Sequence, residues 1–291
     1  MSIASLVHRG LGVVPLLARA PHADRVVLVT GASSGIGEAV ALHAARRGSH
    51  LVVVARGEDS LHEVAQRCLD AGAASATVEV CDVSDDESVA GLVERVAARH
   101  GRLDAVVHSA GVVTYGRVEE TRAEDFASVV GTNLLGAASV ARHVVPVLRK
   151  QDAGDLVLVG SLLGSIAVPE MTPYVVSKWG VRALARQLHI ENLDSGLRVH
   201  HVSPGSVDTP IYDRALDDAG GVNAPPPPTI PPEQVARVVW ARITRRRLLP
   251  ALEAQTSVTN YVLLGAFRAA PRLWDHVAGP AFEVASRRRG G

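Results

Sequence analysis

From Arg25 onward the chain alternates between two apolar patterns. Arg25-Val26-Val27-Leu28-Val29-Thr30 is a short, mostly β-branched run, the signature of a strand buried on both faces. Helical periodicity follows over Gly35–Arg47 and stops at Gly48. The same two steps recur as strand Leu51–Ala55 with helix Glu58–Ala71, then strand Thr77–Cys81 with helix Asp85–His100. Strand Ala105–His108 leads into one long helix, Ala123–Leu148, and strand Asp155–Val159 into a helix reaching Asp194. Thr172 supplies the N-cap of that last helix and Pro173 its first turn, while Arg198–Val202 is a sixth strand. Such alternation predicts an α/β fold: a doubly wound parallel sheet with right-handed crossovers and helices on both faces.

After Ser203 the pattern loosens. Pro204–Pro231 is too long for a plain connection and is expected to be a lid or binding loop, and a helix over Pro232–Arg245 follows it. The expected organisation is a leader (residues 1–24), a single domain (25–246, lid at 204–231) and a C-terminal extension (247–291) with no place in the sheet. Within the leader, Gly10–Ala18 is too short to span a bilayer and is read as packing on the domain surface rather than as a secretion signal. In the extension, Val258, Tyr261, Val262, Leu263, Leu264 and Phe267 form another short apolar set, flanked by Arg268 and Arg272. Packing on the domain or on a partner subunit is the expectation for it; docking on a membrane surface is the alternative.

Composition narrows the function. Apolar residues make up 47% of the chain, enough for a sizeable core, so disorder is excluded. The 30 basic and 30 acidic residues cancel, which argues against a nucleic-acid partner held by phosphate neutralisation. Cys68 and Cys81 alone make neither a disulfide framework nor a metal cluster and fit a reducing, cytoplasmic setting. His200-His201 is not read as a metal site, because adjacent strand residues point to opposite faces.

Two groups of residues carry chemistry. Gly31, Gly35 and Gly37 sit between the first strand and the first helix, where glycines permit a tight turn, close approach of backbone to a pyrophosphate and close helix packing. The free N–H groups of that helix start then face the phosphates. Arg56 ends the second strand, where an arginine accommodates a ribose 2′-phosphate and an acid would hold the 2′-hydroxyl. This points to NADP, with NAD as the alternative. Tyr174 and Lys178 lie one helical turn apart on one face, and Ser161 ends the fifth strand, where α/β sheets place ligand contacts. A phenol titrates near 10, so it needs a neighbouring cation to act as acid and base at neutral pH. Lys178 is that cation, and of the 30 basic residues only it and Lys150 are lysines.

The ordered set resembles the short-chain dehydrogenase/reductase family, whose fold is of the Rossmann type, over about Arg25–Arg245. Thr30–Gly37, with Ser33, Ser34 and Ile36, is similar to the family's T-G-x-x-x-G-x-G, and Tyr174-Val175-Val176-Ser177-Lys178 to its Y-x-x-x-K. Asp82-Val83 resembles the pair that contacts the adenine, and Pro204-Gly205, Val207 and Thr209 the segment that holds the nicotinamide. Asn133 matches the asparagine that supports a water relay to the lysine. Ser109-Ala110-Gly111 stands where the family reads Asn-Ala-Gly, and Ser34 where many NADP-preferring relatives carry a basic residue. The resemblance implies hydride transfer between NADP(H) and a carbonyl or secondary alcohol. Tyr174 is then the acid/base, Ser161 holds the substrate oxygen, Lys178 orients the ribose and Asn133 completes the relay. It also implies a homodimer or homotetramer. Leu162, Leu163, Ile166, Val168 and Met171 point to an apolar small-molecule substrate. A dinucleotide-binding redox sensor without turnover is the alternative reading.

Overall fold

The first strand lies in the middle of the sheet, and the chain winds outward from it in both directions. The structure, a computed structural model, describes residues 24–216, 225–244 and 252–278. The leader up to residue 23, the middle of the lid and the arginine runs at 245–247 and 287–289 lie outside the described residues. Strands β1 (Val26–Thr30), β2 (His50–Ala55), β3 (Ser75–Val80), β4 (Ala105–His108), β5 (Gly154–Val159), β6 (Leu197–Ser203) and β7 (Glu253–Gln255) form one sheet. Its order is β3-β2-β1-β4-β5-β6-β7, and every neighbouring pair is parallel. The connecting helices are α1 (Gly35–Ala45), α2 (Glu58–Asp70), α3 (Asp86–His100), α4 (Ala123–Val130), α5 (Gly136–Lys150), α6 (Thr172–Glu191), α7 (Pro232–Thr244) and α8 (Val258–Ala269).

Alternation along each strand sorts the core into two layers. Val27, Val29, Leu51 and Val53 pack against α1, α2 and α7. Val52, Val54, Val106 and Leu158 pack on the other face against α3, α5 and α6. Direction reverses between β1 and β4, so a crevice opens at their C-terminal ends, where doubly wound sheets bind ligands.

Two elements differ from the sequence reading. The helix expected over Ala123–Leu148 is broken by a π-turn at Gly131–Leu135 and resumes as α5. Apolar periodicity continues across it, so the break leaves little trace in the pattern. The extra residue turns the Asn133 side chain into the interior, where it is 1% exposed. The second difference lies in the extension, where Glu253–Gln255 adds a seventh strand alongside His201–Ser203. Three residues are too few for a period-2 signal.

The extension is also tied down by side chains. Arg182 of α6 grips the Glu253 carboxylate with two hydrogen bonds, Nε–Oε1 2.9 Å and Nη2–Oε2 3.1 Å. Leu264 of α8 packs against Leu162 and Ile166, and Trp274 donates through Nε1 to Ala167 O at 2.9 Å. Val258, Tyr261 and Val262 of α8 stay exposed. No helix among the described residues is long and apolar enough to cross a membrane.

Burial raises the Glu253 pKa, but Arg182, His201 and Arg186 outweigh it and hold the carboxyl below its ordinary 4.5. A folded-state pKa below the unfolded one adds stability that is complete above the unfolded value and lost as pH falls through the folded one. Glu253→Gln should therefore cost about 1–3 kcal/mol at pH 7. It should also flatten part of the acid limb of a thermal melting profile below about pH 4.5. Identical acid limbs in the two proteins would show that this pair does not hold β7.

Candidate active site

At the exit of β1 two backbones pass closer than side chains allow. Gly31 has φ +66°, and a Cβ on it would lie 2.7 Å from the Ala110 backbone at the exit of β4. A Cβ on Gly37 would lie 2.2 Å from Gly31 O. Only glycine fits at either place, and the turn is thereby pressed against both the next strand and its own helix. Ser34 caps α1 in an extended conformation without a side-chain cap bond. The first-turn amides of α1 thus keep their donors and the positive helix end for an anion.

The neighbouring strand exit is held by one hydroxyl. Thr30 Oγ1 accepts from the Ser109 and Ala110 amides at 3.2 and 3.4 Å and lies 2.9 Å from His108 Nδ1. Burial, with Lys178 nearby, lowers the His108 pKa to about 3, so the ring is neutral. Thr30 and His108 thus brace the sheet where Ser109 replaces the family's asparagine. The sequence marks His108 only as the end of the fourth strand and carries no sign of this role.

The crevice is walled by residues the sequence singled out: Gly31, Ser33, Ser34, Gly35, Ile36, Arg56, Asp82, Val83, Ser109, Ala110, Gly111 and Thr209. Gly37 lies beneath the turn, and Val207 is buried in the core layer of α7. Arg56 stands at the rim, 3.9 Å from Asp82. Burial raises the Asp82 pKa, but the Ser84 amide, the Ser84 hydroxyl and Arg56 outweigh it and hold the carboxyl below its ordinary 3.8. Thr132 of the π-turn and Ile211, Arg214 and Leu216 of the lid also line the crevice. The lid reaches across it: Leu216 N donates to Val113 O at 2.9 Å and Thr114 Oγ1 to Leu216 O at 3.1 Å. No periodicity or motif marks these lid residues, so nothing in the sequence singles them out.

Gly111 joins the crevice to the second group: a Cβ on it would lie 3.1 Å from Asn133 Oδ1 and 3.7 Å from Lys178 Nζ. Lys178 is buried, donates to Val159 O at 3.2 Å and has Nζ 5.6 Å from the centre of the Tyr174 ring. Burial lowers its pKa to about 8. Burial raises the Tyr174 pKa, Tyr212 of the lid raises it further, and a hydrogen bond with the Ser161 side chain draws it down. Ser161 is buried, and its Oγ accepts from Leu163 N at 3.1 Å at the start of a short 3-10 turn. Asn133 exchanges two hydrogen bonds with the Val112 backbone, 2.8 and 2.9 Å, and donates to Ser177 Oγ at 3.0 Å. Ser177 Oγ in turn donates to Tyr174 O at 2.8 Å. A continuous polar chain therefore connects the exit of β4 to the helix turn that carries Tyr174 and Lys178.

Pro204 and Gly205 follow β6 beside this group, with Pro204 O accepting from Leu162 N at 2.7 Å. His200 points to Asp155, with Nε2–Oδ1 2.8 Å, and His201 to Ser203, with Nδ1–Oγ 3.2 Å, on opposite faces of the sheet.

Residues 25–219 match the family described as short chain dehydrogenase. A cis-4-hydroxycyclohexanecarboxylate dehydrogenase from Sinomonas cyclohexanicum is 35% identical over 223 residues, 75% of this chain and 88% of that protein. Among solved structures, an alcohol dehydrogenase from the archaeon Thermococcus sibiricus, complexed with 5-hydroxy-NADP, has a TM-score of 0.70 and 31% identity. That likeness covers 79% of this chain and 95% of the other. A short-chain dehydrogenase/reductase from Burkholderia phymatum in complex with NAD has a TM-score of 0.77 at 25% identity and covers 88% of this chain and 96% of that one. The family match over two thirds of the chain, together with these relatives in sequence and in structure, shows that the chain belongs to the short-chain dehydrogenase/reductase family.

Proposed function

We propose that this protein is an NADP(H)-dependent oxidoreductase that interconverts a carbonyl compound and a secondary alcohol. One observation carries the reading: the Ser161–Tyr174–Lys178 group opens through Gly111 onto a crevice whose other end is a glycine cradle at a helix start. The residues fit a dinucleotide. Gly31, Ser33, Ser34, Gly35, Ile36 and Gly37 would take the pyrophosphate, Arg56 the 2′-phosphate, and Asp82 and Val83 the adenine. Ser109, Ala110 and Gly111, with Tyr174 and Lys178, would hold the nicotinamide ribose, and Pro204, Gly205, Val207 and Thr209 the nicotinamide. When bound, the dinucleotide supplies or accepts hydride.

The protein's own part is proton handling and orientation. Ser161 holds the substrate oxygen beside the Tyr174 hydroxyl. Burial keeps that phenol protonated, the form that donates to a carbonyl oxygen. Lys178, the nearby cation, stabilises the phenolate left behind, and its contact with Val159 O fixes its stem. Asn133 serves the relay through its position: its side-chain amide is fully engaged with Val112 and Ser177. The substrate side is read as apolar from Leu162, Ile166 and Met171, all three of them buried. The Sinomonas relative is named for an alicyclic secondary alcohol that also carries a carboxylate. A small, largely apolar alcohol or ketone is the class proposed, handled in the cytoplasm.

Tyr174→Phe should bind NADPH as the parent does while kcat falls by about 10²–10⁴. Near-normal turnover of a working substrate by that variant would remove Tyr174 from the chemistry.

Cofactor choice rests on the charge-assisted, bidentate bonding that a guanidinium offers a phosphate. Arg56→Ala should raise KM for NADPH about 10–100-fold and leave that for NADH nearly unchanged. An unaltered ratio would shift the 2′-phosphate contact elsewhere in the crevice.

A homodimer or homotetramer is part of the reading. Leu135, Val176, Trp179 and Ile190 are exposed apolar residues on the π-turn and α6, the kind of surface a partner covers. Light scattering at micromolar concentration should give at least twice the chain mass of 30.6 kDa; a monomer there refutes the assembly.

A further inference from the structure

Residues 252–278 lie beyond the stretch that matches the family, yet they reach the backbone beside the site. Asn260, in the first turn of α8, is 2% exposed. Its Nδ2 donates to Ser203 O at 2.9 Å and to Gln255 Oε1 at 3.1 Å. Its Oδ1 accepts from Ser257 Oγ at 2.9 Å and lies 2.4 Å from where a Cβ on Gly205 would stand. The amide is therefore held by bonds to Ser203, Gln255 and Ser257 and packs directly on the Gly205 backbone. The next carbonyl, Pro204 O, is held from the other side by Leu162 N, the residue after Ser161. The exit of β6 is thus clamped between the extension and the segment that carries Ser161.

The amide satisfies a carbonyl at a strand exit that would otherwise be buried unpaired, and it leaves room at Gly205 only for glycine. We propose that Asn260 is a positioning residue for the nicotinamide half of the cofactor: through Ser203 O and Gly205 it fixes the backbone that receives the ring. The inference rests on the crevice being the NADP site described above. Arg56 and the glycine turn hold the opposite half, so the effect of Asn260 is confined to one end of the dinucleotide.

Titration of the full chain with NADP⁺ and with 2′-phospho-ADP-ribose, which lacks the nicotinamide, separates the two ends. Asn260→Ala should weaken NADP⁺ about tenfold, the worth of one well-placed hydrogen bond, and leave 2′-phospho-ADP-ribose unchanged. Asn260→Asp, which keeps the size but turns an oxygen toward Ser203 O, should show the same split. Gly205→Ala should reproduce it in the parent chain and add no further loss in the Asn260→Ala background, where the obstructing amide is gone. Equal weakening of both ligands, no weakening of either, or additive losses in the double variant would overturn the role of Asn260. A parent protein that binds neither ligand would overturn the cofactor reading beneath it.

Discussion

The site depends on a contact between two backbones, Gly31 after β1 and Ala110 after β4, at a separation that admits no Cβ on Gly31. Sheet order reverses between these strands, so their exits diverge unless something holds them. The Thr30 hydroxyl does so by collecting the Ser109 and Ala110 amides and the His108 ring. Both halves of the site inherit their positions from this point. On one side the glycine turn delivers the start of α1; on the other Gly111 and Val112 receive Asn133, and through Ser177 the turn of α6 with Tyr174 and Lys178. A serine at position 109 is tolerable in this arrangement because the bracing bonds use its amide and not its side chain.

Electrostatics in the layer below α6 follow from burial. Thr30, His108, Leu158, His201 and Glu253 stand in one register row across five strands. Desolvation brings His108 to about 3 and His201 to about 4, so both rings are neutral at any physiological pH. Lys178, equally buried, falls only to about 8 because it starts from a far higher value. The same desolvation therefore removes charge from the histidines and leaves the ammonium as the cation facing Tyr174. Farther along α6, Arg182 pairs with Glu253.

Legibility in the sequence divides along physical lines. The glycine turn, the strand-end serine and the Tyr–Lys turn are local: spacing on one element determines their geometry, and the structure assembles them as the spacing implies. Six strands were visible because each carries a β-branched run long enough to register. The π-turn was hidden, since Gly131–Leu135 interrupts hydrogen bonding without interrupting apolar periodicity. Strand β7 was too short to show a period, and its hold depends on Arg182, remote in sequence. Arg214 and Thr132 reach the crevice only through the path of a loop and the widening of a helix, neither of which composition encodes.

That division also separates cofactor recognition from substrate recognition. The cofactor end proposed above is built from backbone amides, tight turns and one strand-end cation, features that require particular residue types at fixed positions and so leave motifs. The substrate end proposed above is built from side-chain packing among segments far apart in the chain. Leu162 and Ile166 meet Leu264, with Leu163, Leu263, Phe267 and Trp274 packed around them, and many apolar combinations would fill the same volume. Trp274 adds one directional bond to Ala167 O and sits edge-on to Phe267, with ring centres 5.7 Å apart. The α8 segment thereby fixes the outer wall beside Ser161 while its Asn260 touches the exit of β6. On the function proposed above, substrate choice and cofactor placement converge on this one element beyond residues 25–219, away from the glycine turn and the Tyr–Lys helix.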